Sequence, residues 1–195
     1  MSIIRETAKG YTVIEEEDIL ITSRKVFMTE EVDLKSTSKL IKQLMALDEE
    51  NNEEITLFIN SPGGEVRAGL AVYDLIMNMR SPVNTVCIGK AYSMGAILFL
   101  AGRKREVYEH SHIMIHDPSY LSNDIGGKKP HEIQSQVDKL IETRNVLARI
   151  ISDVTGKSIE EILKATSEDS YYNAEEALEF GLATGIISNE KEDDS

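Results

Sequence analysis

Apolar and polar positions along this chain switch between two periods, and the switches mark its elements. Asp18–Met28 alternates with the two-residue period of a strand. Beyond Asp33 or Ser36, either of which can cap a helix, Leu40, Ile41, Leu44 and Leu47 recur at helical spacing. Ile55–Asn60 is a short apolar run of strand type, and after Pro62-Gly63-Gly64 a helix is expected with Val66, Leu70, Val72, Tyr73, Ile76 and Met77 until Ser81-Pro82 breaks it. Val83–Ile88 reads as a buried strand and Gly89-Lys90-Ala91-Tyr92 as a turn. The helix expected from near Ser93 through Leu100 is apolar nearly all round, and so should be buried. Glu106–Tyr108 and His112–Ile115 are expected as strands, and Leu121–Pro130, with Asn123-Asp124-Ile125-Gly126-Gly127, as a loop. A long helix should run from about Pro130 to Val154, with Ile133, Val137, Leu140, Ile141, Leu147, Ile150 and Ile151 on one broad face. Ser158 with Glu161 and Asn173 with Glu176 have the spacing of capping boxes. Residues 1–17 should be weakly structured.

Strands alternating with helices indicate an α/β fold with parallel strands. Both the glycine turn and the serine turn follow apolar strands, and the carboxyl ends of strands are where open α/β sheets bind ligands. The 195 residues suit one domain, and no linker-like stretch or internal repeat divides them. A formal net charge of -13 with no Lys/Arg-rich run argues against a nucleic-acid surface. Part of that acidity is local, in Glu15-Glu16-Glu17-Asp18 and in the last residues, Glu190–Ser195, which read as solvated ends. Cys87 is the one cysteine, so no disulfide forms within the chain, and its apolar surroundings make it a buried hydrophobe rather than a nucleophile. No apolar stretch approaches the ~20 residues needed to span a bilayer, and no signal-peptide core follows Met1. A soluble, cytoplasmic protein with no membrane partner is the expectation.

Two short segments carry most of the chemistry. Gly63-Gly64 lets backbone N–H groups stand open to a ligand, because no Cβ crowds the approach. Ser93-Met94-Gly95-Ala96, 29 residues on from Gly64, puts a hydroxyl at a helix start, where free N–H groups favour a developing negative charge. A serine needs a base, and the base needs an orienting acid. His116, leaving the apolar run Ile113-Met114-Ile115, is well placed to face a cleft, whereas His131 falls on the polar start of a helix. His110, His112 and His116 share parity on one strand and could instead form a metal-binding row, but His-x-His is common and the apolar residues between favour packing. On the residues alone the acid stays open among Asp117, Asp124, Asp138, Asp153 and Asp169, and Asp169 reads first as a turn residue.

Taken together these segments resemble the ClpP family of self-compartmentalised serine peptidases, over roughly Asp18 to Ile187. The resemblance rests on Ile59-Asn60-Ser61-Pro62-Gly63-Gly64, Ala68-Gly69-Leu70-Ala71-Val72-Tyr73-Asp74, Gly89-Lys90-Ala91-Tyr92-Ser93-Met94-Gly95-Ala96, Met114-Ile115-His116-Asp117-Pro118 and Asn173-Ala174-Glu175-Glu176-Ala177, in order and at the family's spacing. It implies a crotonase-like fold of repeated β-β-α units with a protruding handle helix. Ser93 would be the nucleophile, His116 the base and Asp169 the acid, with the N–H groups of Gly64 and Met94 as the oxyanion hole. Gly63, Glu65, Val66, Pro118, Ser119 and Tyr120 would hold an extended peptide as an added strand. The implied activity is that of a serine endopeptidase cutting unfolded polypeptides inside a barrel of heptameric rings, stacked as a tetradecamer. No cofactor or metal would sit in this chain; a partner AAA+ unfoldase of the Clp type would use ATP. The implied organisation is a flexible axial segment over 1–17, one peptidase domain over 18–187 with its handle at about 119–155, and an acidic tail over 188–195.

The chain departs from the family at several positions. Asp117 replaces the usual glutamine after the histidine and could compete to orient His116. Lys90 and Tyr92 stand where glutamine and alanine are common, and Tyr92 could reshape the substrate pocket. Ser170 follows Asp169 where many members have an arginine that pairs across the ring interface. A catalytically silent ring subunit, an acyl-CoA enzyme on the same fold and a phage-type head-maturation peptidase are the competing readings.

Overall fold

The computed structural model describes residues 2–7, 10–119 and 127–188. Strands β1 (Ser2–Thr7) and β2 (Gly10–Glu15) pair antiparallel, so a hairpin stands where the sequence suggests weak structure. Helix α1 (Glu16–Thr22) and strand β3 (Lys25–Met28) replace the single expected strand over Asp18–Met28. Local bonds account for the difference. Thr22 and Ser23 donate their hydroxyls back to the carbonyls of Asp18 and Ile19, closing a helical turn, and Arg24 at φ 55° reverses the chain into β3. Arg24 is buried, and its guanidinium donates to the Leu47 and Glu53 carbonyls.

Helix α2 (Leu34–Glu50) begins as its capping pattern dictates. Asp33 is the N-cap and accepts from the Ser36 N–H, while Ser36 Oγ accepts from the Asp33 N–H, so both suggested caps act as one box. Strand β4 (Ile55–Ser61), helix α3 (Val66–Asn78), strand β5 (Val83–Tyr92) and helix α4 (Met94–Leu100) follow at the expected places. Strands β6 (Arg105–Tyr108) and β7 (His112–Ile115), helices α5 (Pro130–Thr155) and α6 (Ile159–Thr166), strand β8 (Ser170–Tyr172), helix α7 (Ala174–Phe180) and strand β9 (Gly185–Ile187) complete the described chain.

The main sheet runs β3-β4-β5-β6-β9, all parallel, and it forks at β5. The first half of β5 pairs β6 through Thr85–Cys87, while its far end, Lys90–Tyr92, pairs β7. The stretch Gly89–Tyr92 is therefore strand rather than the expected turn. Gly89 at φ +99° bends it, and its N–H donates to Ser111 Oγ. Strand β8 is the exception in direction, pairing antiparallel with β7. The outcome is the mixed α/β, mostly parallel architecture that the family resemblance implies.

The core lies where α2, α3 and α4 cover this sheet, and every residue of α4 is buried. Helix α5 behaves differently. Its buried residues, Leu147, Ala148 and Ile151, all fall in its C-terminal half, while Val137 and Ile141 are exposed. The expected broad apolar face is thus covered over only part of the helix. The expected loop at 121–130 lies mostly outside the described residues.

Candidate active site

The Ser93 hydroxyl stands at a junction of β5 and α4 that the backbone forces into an unusual shape. Ser93 has φ 52° and ψ −119°, a region that costs a non-glycine residue on the order of 1–3 kcal/mol. Its N–H donates to Met114 O, the last rung between β5 and β7, and its carbonyl accepts from Ala96 N–H, the first turn of α4. Ser93 is held by bonds on both sides.

Register delivers the other two groups. β5 and β7 run parallel with Tyr92 opposite Met114, so Ser93 and His116 leave their strands at the same edge. β7 and β8 run antiparallel with Ile115 opposite Ser170, so the next positions outward, His116 and Asp169, face each other across 53 residues of chain. His116 Nε2 lies 2.8 Å from Ser93 Oγ, and His116 Nδ1 lies 3.0 Å from Asp169 Oδ1. An ionised carboxylate only accepts, so Nδ1 carries the proton and donates to Asp169, leaving Nε2 to accept from the serine hydroxyl. The structure brings together Ser93, His116 and Asp169 out of all the candidates. His131 is exposed on α5, and among the described residues no group of three or more His, Cys, Asp or Glu could hold a metal ion.

The glycine turn meets the serine turn through a missing methyl. A Cβ on Gly63 would lie 2.6 Å from Tyr92 O, 2.7 Å from Ser93 Cβ and 2.9 Å from Met94 N, and at φ +93° any side chain would be strained besides. Only glycine lets the two segments pack this closely. Gly64 is held on its other side by a parallel bridge to Val32: Val32 N–H donates to Gly63 O at 2.8 Å and Glu65 N–H to Val32 O at 2.6 Å. In such a bridge the middle residue turns its own N–H away from the partner. Among the described residues, the Gly64 and Met94 N–H groups make no hydrogen bond. Val32 was not foreseen, since an isolated bridge has no periodicity to betray it.

An open cleft of about 1120 Å³ runs past Ser93 and His116. Gly63, Glu65 and Val66 line one wall, Pro118 and Ser119 another, and Thr143 and Val146 of α5 close the far side. Tyr120 lies outside the described residues. Tyr92, expected to reshape this pocket, instead packs its ring edge-on against Tyr171 with centroids 5.5 Å apart, and is not part of the cleft lining. Asp117 likewise turns away from the histidine. Its Oδ1 accepts from the Thr166 hydroxyl at 2.6 Å, and its Oδ2 faces Arg144 at 3.8 Å. The expected competition for His116 does not arise, because both carboxylate oxygens are engaged elsewhere. Burial pushes the Cys87 thiol up to about 12, which removes it as a rival nucleophile near neutral pH.

The Clp protease family model matches residues 8–190 of the chain. Among individual relatives, the ATP-dependent Clp protease proteolytic subunit 2 of Chlamydia trachomatis serovar D is 37% identical over 193 residues, covering 97% of this chain and 93% of that protein. Proteolytic subunit 3 of the ATP-dependent Clp protease of Synechococcus sp. (strain CC9605) is 41% identical over 175 residues, 87% of this chain and 84% of its own length. The corresponding subunit of Carsonella ruddii is 35% identical over 188 residues, covering 95% of each.

Proposed function

The chain belongs to the Clp protease family, and from that premise we propose that it is a serine endopeptidase, the proteolytic subunit of an ATP-dependent Clp-type protease, with Ser93, His116 and Asp169 as its triad. The single observation that carries the assignment of residues is the unbroken chain of hydrogen bonds from Asp169 through His116 to Ser93. His116 Nε2 takes the Ser93 proton as Oγ attacks the carbonyl carbon of the scissile peptide bond. The carbonyl oxygen becomes an oxyanion and accepts from the Gly64 and Met94 N–H groups, which need not give up another bond to serve it. Collapse of the tetrahedral intermediate expels the amine, protonated by His116, and leaves an acyl-Ser93 ester. Water, deprotonated by the same nitrogen, then hydrolyses the ester and restores the hydroxyl. Asp169 keeps the proton on Nδ1 and stabilises the imidazolium. No step calls on a metal or cofactor.

An extended substrate lies along Gly63–Val66 and Pro118–Tyr120, adding as a strand beside these segments. The subunits oligomerise and work with a Clp ATPase. In finer terms, heptameric rings stack as a tetradecamer, an AAA+ unfoldase spends the ATP, and unfolded polypeptides in the cytoplasm are the substrate. Residues 1–17 form the axial segment, 18–187 the peptidase domain, about 119–155 the handle and 188–195 an acidic tail.

Treating the full chain with a fluorophosphonate and measuring its native mass tests both levels. Labelling of Ser93 in particles of one or two heptameric rings is expected. Labelling of a Ser93→Ala variant to the wild-type extent would overturn the nucleophile, and a monomeric labelled species would overturn the ring.

A further inference from the structure

We propose that Asp117 is a positioning residue for the acid of the triad: through Thr166 it holds the loop that carries Asp169 against His116. The inference rests on the triad reading given above. Asp169 itself is poorly anchored. Its side chain is 58% exposed, and among the described residues its carboxylate makes one hydrogen bond, the one to His116. An exposed carboxylate with one partner holds its place only if its backbone is held for it.

The backbone is held at both ends of a very short loop. On the C-terminal side, Ser170 pairs with Ile115 in the β7–β8 ladder, and its hydroxyl donates to Ala165 O at 2.6 Å. On the N-terminal side, Thr166 and Asp117 are joined twice: Asp117 N–H donates to Thr166 O at 2.7 Å, and the Thr166 hydroxyl donates to Asp117 Oδ1 at 2.6 Å. Ile115 and Asp117 are the two neighbours of His116. Each neighbour of the base therefore grips one end of the loop bearing the acid, and Ser167, Glu168 and Asp169 span the gap between the grips.

Thr166 is buried, so its hydroxyl has no water to fall back on and needs the carboxylate. Arg144, whose guanidinium reaches Asp117 Oδ2 at 3.8 Å, is the one cation paired with this carboxylate among the described residues. At that distance it supports the charge without replacing the hydrogen bond. A carboxylate is thus used for its reach to Thr166, and the identity of residue 117 sets how firmly the acid loop is braced.

The test uses the full chain and a fluorophosphonate, separating the maximal inactivation rate at Ser93 from the half-saturating concentration. Asp117→Ala and Thr166→Val each leave the backbone bond and remove the side-chain bond. Each should slow maximal inactivation about ten- to hundredfold with the half-saturating concentration nearly unchanged, the scale on which small misplacements of catalytic groups act. Asp117→Asn and Thr166→Ser, which keep an acceptor and a donor, should recover most of the rate. A general loss of fold would not spare those conservative variants. Wild-type rates in Asp117→Ala and Thr166→Val, an effect on half-saturation alone, or equal failure of the conservative pair would each overturn the proposal. If Thr166→Val does not assemble, the contrast between Asp117→Ala and Asp117→Asn decides the matter. Absence of Ser93 labelling in the wild type would overturn the triad reading and this inference together. Labelling that is indifferent to residue 117 would overturn this inference alone.

Discussion

Ser93 is set between a strand and a fully buried helix, whereas Asp169 stands on a loop with more than half its side chain in solvent. The surroundings of Ser93, the proposed nucleophile, are packed. Gly63 touches Tyr92, Ser93 and Met94 through the space of a missing Cβ, Gly64 is bridged to Val32, and all of α4 is core. The surroundings of Asp169, the proposed acid, are tethered, by one three-residue strand and by the Asp117–Thr166 pair. Under the proposed triad, the difference is one between two ways of making a catalytic group precise. Where charge develops on the substrate, dipoles must not move, and close packing supplies that rigidity. Where the group only orients a neighbour, hydrogen bonds at the ends of a short loop suffice.

This contrast can be broken by substitution. The largest effect is expected from Ser93→Ala, which should lower turnover by about 10⁶-fold, as removal of a triad serine does elsewhere, measured on an unstructured peptide. Asp169→Asn should cost about 10⁴-fold by favouring the wrong imidazole tautomer, yet leave the thermal midpoint nearly unchanged because the side chain is exposed. Gly63→Ala should cost about 10²–10³-fold in turnover by pushing the Met94 donor out of line. Unlike Asp169→Asn, it should also lose about 1–3 kcal/mol of stability from overpacking and a positive φ. Equal stability losses at 63 and 169 in urea unfolding would erase the distinction between a packed half and a tethered half.

The smallest expected effect is one of pH. The Ser158 hydroxyl, and then its N–H, hold the Glu161 carboxyl below its usual range, and Glu161 caps α6, the helix that delivers Thr166. A group whose pKa is lowered on folding stabilises the folded state above its unfolded value and loses that contribution as pH falls through the folded value. Acidification below the ordinary carboxylate range, about 4.3, should therefore quicken hydrogen exchange in α6. Helix α4 has no carboxylate cap and should not respond until the whole fold does.

The two halves also differ in how legible they are in the amino-acid sequence. The packed half is written locally: paired glycines after an apolar strand and a serine before an apolar helix are short, contiguous signals. The acid is not, because what lifts Asp169 above a turn residue is its register opposite His116, 53 residues away, through a strand too short to show a period. Family resemblance selects Asp169 where the residue pattern alone cannot. Strand β9 escaped notice because its three residues, too, are too few to show a period. The errors at α1 and at Gly89–Tyr92 have another origin. Ile19-Leu20-Ile21 fits a buried strand or a short helix equally well, and backbone-directed hydroxyl bonds decided for helix. Gly89 does carry a left-handed φ, as a turn glycine would, but the chain spends it on a bend within β5. Asp117 has Thr166 and Arg144 rather than His116 as its partners, because adjacency in sequence says nothing about which way a strand-end side chain turns.

The backbone at Ser93 has a consequence for descent as well as for catalysis. Its φ of 52° with ψ −119° suits glycine better than any residue with a side chain. Ser93→Gly should then melt at or above Ser93→Ala, since both lose the hydroxyl and only glycine sheds the strain. Folding alone would draw position 93 toward glycine, and under the proposed triad turnover alone would keep serine there. A duplicated copy relieved of proteolytic duty has an easy first step, one that silences the site while leaving the subunit as fit as before to take its place among its siblings.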